Sequence, residues 1–264
     1  MTHSERPGPP RQESVLVALA ALALAAIHLG MAEAFGALGV ARNDDWTYYR
    51  VAFASAANGG FDPDPYTNAM LVGLVALARP VIAIFGPEMV ALQIFVAALG
   101  AAGLWACWWS VRHFLAPRLA LLAVATLAVG PCWGGLTASF MTDVPAFAFQ
   151  AAGLALGVRA LRGGRLRWPW LFAAILTCLV AFSIREYAVA ALVAVCLAAL
   201  VVTGGLEPHA ARRQRALIGV LALVSLLAAA ALYRWRGAQT TGAPARSAFL
   251  LPSPVEFRAG VRTI

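Results

Sequence analysis

The chain has 264 residues, of which 61% are hydrophobic and only 12% charged. A soluble domain carries about a quarter charged residues. Apolar runs of about 20 residues match a bilayer core of roughly 30 Å and lack the short alternation of an outer-membrane barrel. The net charge of +8 comes from arginine alone, with no lysine. These arginines cluster between apolar runs, so they speak of membrane topology rather than of nucleic acid.

In chain order, residues 1–13 are polar and proline-rich and read as a disordered cytoplasmic tail. The run from Ser14 to about Val40 follows. Its "MAEA" has the small residues of a cleavage site, but the apolar stretch exceeds the 7–15 residues usual for a signal peptide, which favours an uncleaved first span. Further apolar segments lie at about 69–86, 89–110, 118–137, 144–161, 170–203 and 216–233. At 1.5 Å per residue the 170–203 run would extend about 50 Å, too long for one crossing, and Arg185 and Glu186 divide it into two halves. Residues 14–236 therefore form the membrane domain, and 237–264 an outer tail or the start of a continuation. Cys107, Cys132, Cys178 and Cys196 all sit in apolar segments, with neither metal-ligand spacing nor a disulfide pattern.

Arginine placement sets the parity of the crossings. If 69–86 does not cross and the N-terminus is inside, three successive arginine groups fall inside: Arg112 with Arg118, Arg159 to Arg167, and Arg212 to Arg215. Segment 69–86 contains Arg79–Pro80, awkward at mid-bilayer, and reads as a helix in the outer interface. The expectation is an all-α, polytopic transmembrane helical bundle with about seven crossings plus one outer interfacial helix. The arginines of "YRWRG" fall on the wrong side in this scheme.

The same parity places Asp44, Asp45, Asp62, Asp64 and Asp143 on one outer face, together with Arg185 and Glu186. A carboxylate at the lipid–water boundary can accept a proton from a hydroxyl or hold a divalent cation. "NDDWTYYR" is equally consistent with a solvated loop anchored by Trp46, Tyr48 and Tyr49. "SFMTDVPAF" fits a helix start, with Thr142 or Asp143 as cap and Pro145 in the first turn. Arg185 and Glu186 could pair with each other, or Arg185 could grip a phosphate, which its forked donors suit. "DPDPYTN" reads as a turn leading into the interfacial helix.

Taken together, "NDDWTYYRVA", the Pro-bounded segment ending in "IFGPE", "SFMTDVPAFAFQAAGLAL" and "LVAFSIREYAVAALVAV" resemble the GT-C superfamily of membrane glycosyltransferases. The nearest in style are bacterial enzymes related to aminoarabinose transferase and protein O-mannosyltransferases, over about residues 14–235. The resemblance implies a polyprenyl-phosphate sugar donor and a glycan, lipid or protein acceptor on the periplasmic side of a bacterial inner membrane. It matches Asp44 to the catalytic base, Asp45 to its acidic neighbour, Asp143 to the second acidic position and Arg185 to the residue near the donor phosphate. Tyr48, Tyr49, Tyr66 and Glu186 are the expected substrate contacts. The resemblance fixes no cofactor; a Mg2+ or Mn2+ ion, if one binds, would be held by Asp44 and Asp143. The likeness departs in length, since such enzymes usually continue through more spans. A transporter subunit or an inactive truncated scaffold are the rival readings, and no internal repeat speaks for the first.

Overall fold

The computed structural model describes residues 10–42, 44–64, 67, 69–162, 166–203 and 208–240. It is 82% helical and has no strand among the described residues. Helix α1 (Arg11–Ala34) is followed by α2 (Asp45–Asn58), α3 (Val72–Phe85), α4 (Met89–Val111), α5 (Pro117–Ala128), α6 (Pro131–Thr137), α7 (Asp143–Leu161) and α8 (Trp168–Ile184). A 3-10 turn, Glu186–Ala188, then leads into α9 (Val189–Val202) and α10 (Pro208–Thr240).

Among these, α1, α4, α7 and the Arg212–Gln239 part of α10 are long and apolar enough to cross a membrane. The expected 118–137 span departs from a straight rod. It breaks at the Gly130–Pro131 step into α5 and α6, which meet at 68°. Pro131 cannot donate the backbone hydrogen bond that would carry α5 onward. The long 170–203 run divides at Arg185, as its length requires, into Trp168–Ile184 and Glu186–Val202, both apolar but shorter than the four long helices. Where about seven crossings were expected, four helices, or five with the bent pair, reach spanning length among the described residues, and the two halves of the 170–203 run fall short of it.

Three boundaries differ from the expectation. Helix α1 begins at Arg11, inside the stretch read as tail, because Glu13 is fixed 3.2 Å from Arg112 at the end of α4. Helix α10 runs on to Thr240, past the expected boundary at 236. Residues 45–58, read as a loop, are a helix; residues 1–9 and 241–264 lie outside the described residues.

The bundle has two distinct ends. At one, Glu13 meets Arg112, Arg162 acts electrostatically on His113, and Arg159 lies 3.9 Å over the Trp170 ring. Some 33 Å away, at the rise of 1.5 Å per residue along the 23 residues of α4, Tyr49 donates to the Pro87 carbonyl at 2.8 Å. There Gln93 also accepts from Gly39 N–H at 2.7 Å and donates to the Val40 carbonyl at 3.4 Å. The chain is therefore fastened to α4 in the first turn of α1, by Glu13, and again at Gly39 and Val40 beyond its last turn. Fully buried Leu74, Leu92, Trp108, Phe140 and Ile184 fill the space between α3, α4, α7 and α8.

Close helix contact rests on small residues, as expected where lipid removes the hydrophobic drive for helices to associate. A Cβ on Gly103 of α4 would sit 2.8 Å from the Cα of Ala148 on α7, so the two backbones touch there. Gly103→Ala should force them apart and destabilise the bundle by about 1–3 kcal/mol. Gly135→Ala, where nothing lies within 4 Å, should be nearly silent. Thermal unfolding in detergent checks the pair; equal melting temperatures for both variants would contradict the close packing.

Candidate active site

The end of the bundle away from Glu13 and Arg112 gathers the polar residues. The break between α8 and α9 leaves Arg185 in extended backbone (φ −146°, ψ 129°), with its side chain turned toward α2 and the start of α7. Its Nη1 donates to the Thr142 hydroxyl at 2.9 Å and to the Tyr48 hydroxyl at 3.4 Å. Its guanidinium lies 5.8 Å over the Tyr187 ring, and its Nε is buried with no hydrogen-bond partner among the described residues.

The break also organises backbone from a third direction. The Ile184 carbonyl accepts from Leu71 N–H at 3.2 Å, and the Glu186 carboxylate accepts from Met70 N–H at 3.3 Å. Leu71 takes a left-handed conformation (φ 58°), uncommon for a residue with a side chain, immediately before α3. These two bonds hold it there. Glu186 is therefore a fastener of the 70–71 backbone as well as a neighbour of Arg185.

Thr142 stands at the N-cap of α7, yet its side chain makes no capping hydrogen bond. The hydroxyl accepts from Arg185 instead, and Asp143, half-buried in the first turn, accepts from the Tyr187 hydroxyl at 3.3 Å. The capping role expected for Thr142 is corrected accordingly: its side chain serves a neighbouring helix.

The adjacent aspartates differ sharply. Asp44 is exposed at the N-cap of α2. Asp45 is fully buried and accepts from Arg42 N–H, while one of its oxygens has no partner among the described residues. Burial pushes its carboxyl up to about 6, against the opposing pull of the Arg42 and Phe140 backbone amides. Burial likewise raises the Tyr48 phenol, which Arg185 opposes, and both Asp44 and Asp143 act on that phenol electrostatically. Tyr49 is engaged away from Arg185, with the Pro87 carbonyl and the Phe53 ring 4.3 Å away. Tyr66 lies outside the described residues.

Two participants were not singled out from the sequence. Tyr187 follows Glu186 directly, and a phenol beside two charges within an apolar run is the signal that points to it. Arg236, read as sitting on the wrong side, reaches back from α10 to donate to the Thr67 carbonyl, within electrostatic reach of Glu186 and Tyr48. Among the described residues no three His, Cys, Asp or Glu side chains gather as a metal-binding group.

The multi-pass, all-α bundle thus collects carboxylates, phenols and guanidiniums at one end, the kind of polar cluster that marks functional sites in membrane proteins. The profile of the dolichyl-phosphate-mannose-protein mannosyltransferase family matches residues 71–251, and the chain belongs to that family. It is accordingly a membrane glycosyltransferase of the class that draws on lipid-linked sugars. Comparison with curated proteins and with solved structures gives no significant match. The matched stretch contains Asp143, Arg185, Glu186 and Arg236 and begins after Asp44 and Asp45.

The raised Asp45 carboxyl has a consequence for stability. The folded chain holds this proton more tightly than the unfolded chain, so the contribution is full below about pH 4 and is lost as pH rises through about 6. The shift corresponds to about 2–3 kcal/mol. Asp45→Asn keeps an oxygen for Arg42 N–H and removes the titration. It should flatten the fall in melting temperature between about pH 4 and pH 7. Parallel slopes for the variant and the natural chain would count against the burial argument.

Proposed function

We propose that the protein transfers a sugar from a polyprenyl-phosphate donor to an acceptor hydroxyl on a glycan, lipid or protein, at the periplasmic face of a bacterial inner membrane. The observation that carries this reading is the position of Arg185. It is fixed by Thr142 and Tyr48 on two other helices, keeps a spare donor at Nε, and stands among carboxylates in distinct environments.

In this reading the donor's hydrocarbon chain lies between helices and its phosphate meets Arg185. A guanidinium presents forked donors to phosphate oxygens and stays charged at all relevant pH. Asp44, exposed and beside Tyr48, takes the proton of the acceptor hydroxyl. The hydroxyl oxygen bonds to the anomeric carbon, the bond from that carbon to the phosphate oxygen breaks, and its electron pair leaves on the phosphate. Attack from the face opposite the leaving group inverts the anomeric centre. Asp143 orients the acceptor together with the Tyr187 hydroxyl, while Tyr48 and Glu186 stand by Arg185. Asp45 acts through Asp44: its bond to Arg42 N–H fixes the turn that presents Asp44. The transferred sugar is a hexose or a pentose.

The test is sugar transfer from a polyprenyl-phosphate donor by the reconstituted protein. Asp44→Asn should lower kcat by about 100-fold or more, the usual contribution of a general base. Arg185→Gln should raise the donor KM by about 10- to 100-fold, the worth of one or two charge-assisted hydrogen bonds. Undiminished transfer by Asp44→Asn would reject the base assignment. Sidedness is read separately: single cysteines at positions 44 and 143, in a chain freed of its own cysteines, should react with an impermeant reagent only from the periplasmic side.

A further inference from the structure

The last turns of α10 bring a cation to this site that the mechanism above leaves idle. Arg236 donates through Nη2 to the Thr67 carbonyl, and neighbouring Trp235 stacks on Phe61 with ring centres 5.8 Å apart. Met70, three residues on from Thr67, has its amide held by Glu186. The connection from α2 to α3 is therefore tied to α10 on one side and to the α8–α9 break on the other. Arg236 and Arg185 both lie within electrostatic reach of Glu186 and Tyr48. Each keeps a buried Nε with no partner among the described residues.

A phosphodiester carries a charge of about −1, whereas the phosphate monoester released from it approaches about −1.5 to −2 near neutral pH. The added charge appears only as the anomeric carbon–oxygen bond breaks and its electron pair passes to the phosphate oxygen. A cation aimed at that developing charge lowers the barrier without tightening the donor's ground-state binding.

We propose that Arg236 is a second phosphate-binding catalytic residue, which neutralises the charge that forms on the departing lipid phosphate. The proposal rests on the glycosyl-transfer reading and assigns the two arginines separate duties: Arg185 seats the donor, and Arg236 receives the leaving group.

The experiment compares Arg236→Gln and Arg236→Lys with the natural chain in lipid nanodiscs. It reads kcat, donor KM and the direct binding of polyprenyl phosphate, the product. Glutamine removes the charge and, being shorter than the reach to Nη2, also gives up the bond to the Thr67 carbonyl; a purely structural role would therefore weaken donor and product binding alike, not product binding alone. The proposal expects Arg236→Gln to lose about 100-fold in kcat, the scale of one transition-state donor, with donor KM changed less than about threefold. It expects weaker product binding and substantial recovery of both in Arg236→Lys. Unchanged product binding in Arg236→Gln would overturn it, as would equal losses in the two variants. Should the glutamine variant fail to fold, the lysine variant decides: retained product binding supports the proposal, and its loss sinks it. Product binding needs no turnover, so a failure of Arg236 is told apart from a failure of the transfer reading, which Asp44→Asn tests.

Discussion

A helix interrupted at a charged residue imposes conditions on all of its neighbours. Where α8 stops at Ile184, a carbonyl that would have been bonded within the helix is released, and a guanidinium is held at the end of an apolar bundle. Both are costly near lipid unless partners are supplied. The structure supplies them from three elements at once: Leu71 N–H for the carbonyl, and Tyr48 and Thr142 for the guanidinium. Meeting those demands draws the start of α3, the face of α2 and the entry to α7 to one point. The left-handed Leu71 and the uncapped Thr142 are local departures from preference that this convergence sustains.

The carboxylates around that point owe their differences to position rather than to chemistry. Asp44 and Asp45 are neighbours in the chain, yet one faces solvent and the other is buried in the first turn of α2 with its pKa raised to about 6. Asp143 has a phenolic hydroxyl for company, and Glu186 is engaged with backbone. In the proposed transfer, environments this unlike would let one residue type act as base, as support and as orienting group.

Much of this was legible in the amino-acid order, for identifiable reasons. Hydrophobic length marks spans directly, and the excess length of 170–203 required the interruption that Arg185 makes. What the order concealed was short or relational. Helix α2 was read as a loop because Asp45, Trp46 and paired tyrosines suggest an interface anchor. Its buried set, Asp45, Tyr48, Ala52 and Ser55, nevertheless steps at helical spacing and could have been counted. The bend at Gly130–Pro131 was signalled by the dipeptide itself, but a continuous apolar run obscured it. Arg236 could not be assigned from parity, since charge-based topology assumes that a basic residue near a helix end belongs to the solvent on that side. It does not foresee one drawn inward by a carbonyl and a carboxylate.

The double fastening of the chain along α4 bears on the residues that follow it. Glu13 is bound to Arg112 near one end of α4, and Gly39 and Val40 are bound to Gln93 near the other. The stretch from Glu13 to Val40 is thus measured against a neighbouring helix. Each residue inserted within α1 would advance the exit point by about 1.5 Å and turn it by about 100°. Asp44 begins only a few residues beyond that exit, so the phase of a lipid-facing helix governs where a solvent-facing acid is aimed.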